Sequence, residues 1–288
     1  MSCRSGDRVV WQQYAVGLPT PIGLFVVDIR NNEILARAAE GCIVRSAAKL
    51  PWHPGFAFVV SAPPDRRGLG VVSPDGESAL ASPVVEADGV AGHPVKRLLA
   101  TTDHRSIVVL SVDDPSRPEV EVVVPPTSFE DALTSLTQVY PCGWVAEDGK
   151  LLVGAEYSRG TLPAFDEDAL DREDRWWAVA PNGEVAPFSP PGVSEQSFPN
   201  GLFELIYRNQ AGLWLYAGGG PHGRRLSAYR GERCVWSRDA VWDFIEASPD
   251  GKELLVGMGC EYLLVNLVTG EETVCNLPYY SEYPAWSA

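Results

Sequence analysis

The chain has 288 residues, of which 45% are hydrophobic and 21% charged, enough to bury one large core or two small ones. Its net charge of -15 repels phosphate backbones and anionic lipid, so nucleic acid and membrane surfaces are excluded as expected partners. No apolar run approaches the roughly 20 residues that span a bilayer, and the opening MSCRSGDRVVWQQY has no apolar core like that of a signal peptide. The cytoplasm is the expected compartment.

In chain order, the first strand-like runs are RVVWQQYA, GLFVVDI and EILARAA. A second group follows over 41–82 and a third over 83–125, each ending in a turn and a short apolar run (SPDGESALAS, SRPEVEVVV). The fourth, over 138–190, reads CGWVA, KLLVGAE, RWWAVAP and EVAPF, with an acidic insertion at 158–174. The fifth, over 198–238, reads FELIYRN, LWLYAG, RLSAYR and ERCVWS. The sixth, over 240–278, reads WDFIEAS, KELLVGM, EYLLVNL and ETVCNL. Its SPDG is a β-turn with Pro at the second position and Gly where a positive φ is easiest.

One feature recurs through these groups. A turn is followed directly by glutamate and a short strand, at Glu33, Glu77, Glu119, Glu184, Glu232 and Glu271. The spacings are 44, 42, 65, 48 and 39, and the long one contains the 158–174 insertion. Self-similarity at this period signals a repeat architecture. A charge opening an outer strand blunts edge-to-edge pairing, so the glutamates are read as structural. The first group, 7–40, has only three strands, and the segment 283–288 (YPAWSA) supplies the fourth. Four-stranded units closed end to end resemble six-bladed β-propellers, with SPDGK turns like those of TolB. The expected fold is therefore all-β: one six-bladed propeller of four-stranded antiparallel blades, closed by the C-terminal strand joining the N-terminal blade.

In such a fold the turns between third and fourth strands are short and leave one face plain. The loops between second and third strands vary, and they share the other face with the starts of the innermost strands. Aromatic residues near those starts, Tyr140, Trp144, Phe198, Trp242, Tyr283 and Trp286, are expected to line the channel mouth, with Arg66, Arg105 and Arg224 as ligand contacts. His104, His222, Glu204 and Asp243 are the candidate acid–base groups. His53 and His93 fall on the plainer face. The six cysteines form no CxxC pair, and all but Cys3 sit in or beside apolar runs, which favours core thiols over disulfides or zinc.

No HExxH, GxSxG, Walker A or dinucleotide-binding glycine pattern is present. GGGPHG at 218–223 opens no helix, and FDEDALDRED at 165–174 lacks the Gly and closing Glu of an EF-hand loop. EGC at Glu40, PNGL at Asn200, the Asp239/Asp243 segment and the AGLWLYAGG strand resemble the SMP30/gluconolactonase family. That resemblance implies a divalent cation, calcium or magnesium, at Glu40, Asn200 and Asp239, and metal-dependent lactone hydrolysis. Tyr140-Pro141-Cys142 stands where that family has Asn-Asp-Gly.

Three readings follow. The first is a small-molecule site at the channel mouth, used for binding alone or for hydrolase, lyase or cyclase chemistry without a known motif and with no cofactor. The second is a protein–protein interaction scaffold using the 158–174 insertion. The third is the metal-dependent lactonase.

Overall fold

The computed structural model describes residues 8–14, 21–28, 33–38, 43–50, 52, 55–62, 66–73, 76–80, 87–103, 106–114, 118–123, 134–145, 148–159, 171–191, 203–208, 211–220, 223–239, 244–248, 250–258, 261–275 and 285–286. Of some strand residues, among them Arg66, Glu204, Arg224 and Trp286, it describes the backbone alone. The described elements are all strands and turns, arranged in six four-stranded antiparallel sheets.

The first sheet contains β1 (Arg8–Tyr14), β2 (Pro21–Asp28), β3 (Glu33–Ala38) and β24 (Ala285–Trp286), in the order β24-β1-β2-β3. The second holds β4 (Ile43–Lys49), β5 (Phe56–Ala62), β6 (Arg66–Ser73) and β7 (Gly76–Leu80). The third holds β8 (Ala87–Gly92), β9 (Leu98–Asp103), β10 (Ser106–Ser111) and β11 (Pro118–Val123). The fourth holds β12 (Thr134–Trp144), β13 (Leu151–Arg159), β14 (Asp171–Val179) and β15 (Val185–Phe188). The fifth holds β16 (Phe203–Arg208), β17 (Leu213–Gly220), β18 (Gly223–Arg230) and β19 (Arg233–Asp239). The sixth holds β20 (Phe244–Ala247), β21 (Glu253–Met258), β22 (Glu261–Asn266) and β23 (Glu272–Cys275). Each is a meander in sequence order, except that β24 pairs with β1 through Val9↔Trp286 and Val10↔Ala285. The chain is an all-β propeller built of small antiparallel sheets.

The strand sequences explain the layering. Middle strands such as Leu151–Ala155, Ile107–Leu110 and Leu213–Ala217 are unbroken apolar runs, because neighbouring sheets cover both of their faces. The fourth strands are different: β15, β19 and β23 are largely exposed along their length. Each recurrent glutamate stands at the start of such a strand. Glu33, Glu77 and Glu119 lie within the first two residues of β3, β7 and β11; Glu184, Glu232 and Glu271 immediately precede β15, β19 and β23.

The core lies in the seams between sheets. Ala57, Val59 and Val71 meet Val90, Leu99 and Val108 between the second and third. Ala100 and Val109 meet Val139 and Val153 between the third and fourth. Cys142 and Leu152 meet Trp214 and Tyr216 between the fourth and fifth. Leu215 and Leu226 meet Ile245 and Val256 between the fifth and sixth. Burying one such aliphatic or aromatic side chain stabilises by about 1.5–3 kcal/mol.

The innermost strands approach one another closely. Ser46 Oγ of β4 accepts from Val90 N of β8 at 3.2 Å. A Cβ on Gly92 would lie 2.4 Å from the Lys49 carbonyl oxygen, and one on Gly89 would lie 2.9 Å from Pro141 Cδ of β12. β24 neighbours both β4 and β20.

At one edge of the sheets the described turns are short and closed by their own polar side chains. Ser248 Oγ donates to Asp250 Oδ1 at 2.8 Å and accepts from Glu253 N at 2.9 Å. Gly251 takes a φ of 67° there, which an L side chain rarely adopts. Asn266 Oδ1 accepts from Val268 N and Thr269 N at 2.9 and 3.0 Å, and Asp148 Oδ1 from Lys150 N at 3.1 Å.

Candidate functional site

The strand directions separate two edges. The edge just described carries the turns after first strands and after third strands. The opposite edge carries the starts of first and third strands and the ends of second and fourth strands, which flank the variable connections such as 160–170 and 192–202.

Several candidate residues stand at this second edge. Arg66 opens β6, Glu204 is the second residue of β16, Arg224 is the second of β18, and Asp239 ends β19. Trp286 lies in β24, paired with Val9. His104, Arg105, His222, Asp243, Phe198, Trp242, Tyr283, Glu40 and Asn200 lie outside the described residues, as does His53.

The two remaining aromatic candidates depart from their expected place. β12 is longer than the CGWVA segment and runs from Thr134, so Trp144 ends the strand. Trp144 therefore sits at the short-turn edge, 8% exposed in the seam between the third and fourth sheets. Its ring centroid lies 4.7 Å from that of His93. Pro141 suggests a strand start, but β12 is an inner edge strand with a register shift between Pro141 and Gly143, which tolerates a missing N–H. Tyr140 lies mid-strand opposite Gly154. A Cβ on Gly154 would be 2.3 Å from the Tyr140 ring, so the ring lies against Gly154. It packs against the cluster of Cys142, Leu152, Trp214, Tyr216 and Tyr229 in the seam between the fourth and fifth sheets. Both rings fill the space between sheets.

The best-defined polar contact at the loop-flanking edge joins Arg225 to Asp239. The guanidinium donates through Nε to Oδ1, and through Nη2 to Oδ2 at 3.2 Å, with both side chains partly buried. Such a two-point contact orients both groups. It also bears on the implied cation. Both Asp239 oxygens accept from a guanidinium, which would compete with calcium or magnesium for that carboxylate. Among the described residues, no three His, Cys, Asp or Glu side chains gather in a metal-sized group.

Two buried groups carry little signal in the sequence. Lys49 ends β4, and its Nζ is buried without a hydrogen-bond partner. Desolvation lowers its pKa to about 8. Ser46 and Ala48 face the third sheet, so strand alternation turns Lys49 to the opposite side of β4, beside its cross-strand partner Phe56. The one clue is a lone lysine closing the apolar run before Leu50-Pro51-Trp52. Tyr216 is fully buried and donates to the Pro191 carbonyl at 2.7 Å. Burial, with Tyr229 beside it, pushes its phenol far above the ordinary value.

No protein-family model matches the chain, and no curated protein does. Solved structures do. TolB from Acinetobacter baumannii is similar with a TM-score of 0.63 at 11% identity, over 98% of this chain and 66% of that one. The β-propeller domain of the Trilobed protease from Pyrococcus furiosus, described as having an open velcro topology, has a TM-score of 0.53 at 13% identity, over 93% of this chain and 81% of that one. The chain thus spans slightly under two thirds of that TolB. At these identities the likeness establishes the fold, and the fold is a β-propeller.

Proposed function

We propose that this chain is a small-molecule-binding β-propeller whose ligand is held at the edge flanked by the variable connections. The supporting frame is a six-bladed ring in which β24 completes the first blade. Its pairing with β1 and its place between β4 and β20 favour that closure.

One observation carries the reading: the asymmetry between the two edges. Short turns locked by Ser248, Asp250, Asn266 and Asp148 occupy one edge and leave little room for a ligand to be enclosed. The opposite edge flanks the long connections and collects charge of both signs at strand ends, in Arg66, Glu204, Arg224 and the Arg225–Asp239 pair. Mixed charge at strand ends suits a polar ligand that is oriented by a few contacts. With Tyr140 and Trp144 packed between sheets, the polar strand ends carry recognition in this reading.

The test is native mass spectrometry of the purified protein after incubation with a metabolite extract. A retained small molecule is expected, with at least tenfold less retained by the Arg66→Ala/Arg224→Ala double variant. No retained mass above that of an unrelated control propeller, or equal retention by the variant, rejects the proposal.

A further inference from the structure

His93 holds a turn at the short-turn edge, away from the proposed ligand site. It follows β8 and is 6% exposed. Its Nδ1 accepts two backbone hydrogen bonds, from Val95 N at 3.0 Å and Lys96 N at 2.9 Å. Its backbone N donates to the Leu98 carbonyl at 3.0 Å, and its carbonyl accepts from Trp52 Nε1 at 3.1 Å. The ring rests on Trp144 of β12. One residue thereby ties together the ends of three neighbouring sheets: the second through Trp52, its own, and the fourth through Trp144.

An imidazole nitrogen that accepts two N–H groups carries no proton of its own. In this tautomer the hydrogen of the neutral ring is on Nε2. We propose that the His93 turn is an acid-sensitive latch: a proton taken from solvent onto Nδ1 turns an acceptor into a donor facing two donors, breaks both bonds and opens the turn at Val95 and Lys96.

The surroundings oppose that proton. Lys96, on the same turn, adds a positive charge that acts on the ring. Arg97 lies over Trp52 at 5.3 Å and is held by Asp113, with Nε 2.9 Å from each carboxylate oxygen, so Asp113 is committed to a cation already present. β12 presents the uncharged Trp144, and beyond it Asp148 and Lys150 pair with each other at 2.8 Å. Lys49 of β4 points to the other side of its strand. Desolvation first, and Lys96 second, lower the His93 pKa below the ordinary 6.5. The unfolded chain therefore binds this proton more readily than the folded one. Stability and turn protection are complete above about pH 6.5 and fall as pH drops from there toward the lowered folded value.

The experiment uses the full chain, amide exchange by NMR and a histidine-selective titration. Protection factors of the Val95 and Lys96 amides are compared with that of Gly149, whose N donates to the Val145 carbonyl at 2.8 Å in a turn without histidine. Between pH 6.5 and the folded pKa, protection at Val95 and Lys96 is expected to fall up to about tenfold per pH unit while Gly149 is unchanged. His93→Asn keeps a side-chain acceptor but cannot titrate, and its protection is expected to be independent of pH. The latch is overturned if His93 titrates at or above the ordinary histidine value, if Val95 and Lys96 stay protected through its titration, or if His93→Asn shows the same acid loss. Should His93→Asn fail to fold, the wild-type titration and exchange decide the matter alone.

Discussion

The packing of innermost strands is tested most directly by Gly92→Ala. Gly92 lies in β8 with an ordinary strand φ, so alanine meets no backbone penalty of its own. The added Cβ would stand 2.4 Å from the Lys49 carbonyl oxygen, against an ordinary contact of at least 3.4 Å. The obstacle is backbone in a neighbouring hydrogen-bonded strand, which no rotamer change removes. β8 must back away from β4 by about 1 Å, and a gap of that size forfeits a quarter to a half of each dispersion contact it opens. The seam concerned is the one holding Leu50, Val90 and Leu99, with tens of atom pairs at about 0.1–0.2 kcal/mol each. The expected cost is about 3 kcal/mol, the upper part of the range for overpacked cores. For a chain of this size that corresponds to a fall in Tm of roughly 5 °C. Gly68→Ala is the control, because a Cβ there would have no atom within 4 Å, and the change should stay within about 0.5 kcal/mol. Thermal and urea unfolding of both variants measure the difference. If Gly92→Ala unfolds within about 1 kcal/mol of wild type, the close approach of β4 and β8 is wrong.

Lys49→Met should be more stable than wild type at pH 7, because it removes a desolvated amine that has no hydrogen-bond partner. The wild-type chain should gain stability from about pH 8 to 10.5, where the unfolded lysine holds a proton that the folded one has released, so the gap between the two proteins narrows. Urea midpoints at pH 7 and pH 10 check this, and an unstable Lys49→Met at pH 7 contradicts it. Tyr216→Phe should cost about 1–2 kcal/mol, the loss of a buried hydrogen bond to the Pro191 carbonyl. In wild type the raised phenol should stay un-ionised at pH 11, so wild type and Tyr216→Phe should show the same tyrosinate absorbance there; a larger signal from wild type with both proteins folded would mean that the side chain is not buried.

The strand order is legible in the sequence because punctuation repeats. Glu184, Glu232 and Glu271 each follow a turn and open an exposed fourth strand, and apolar runs such as Leu151–Ala155 mark the covered middle ones. Side-chain placement is less so. Pro141 looks like a boundary and so puts Trp144 near a strand start; an inner strand with one free edge accommodates proline in its middle, and Trp144 falls at the far end. Tyr140 has the sequence context of a channel-mouth residue, but whether an aromatic ring points at an axis or folds over its own sheet depends on its neighbour. Here the neighbour is Gly154, which leaves a vacant surface for the ring. The pairing of Arg225 with Asp239 joins residues 14 apart across two strands, a register that turn signals alone do not set.

The sheets also dictate an order of assembly. Every strand pairing within the second to sixth sheets joins consecutive strands and can form with short loops. The contact of β24 with β1 brings together Val9 and Trp286, almost the whole chain apart. Closing a loop that much longer than a hairpin costs roughly 3–4 kcal/mol more in chain entropy. That pairing should form last and slowest, after the other sheets have narrowed the search, and should be the first to open when the protein is stressed.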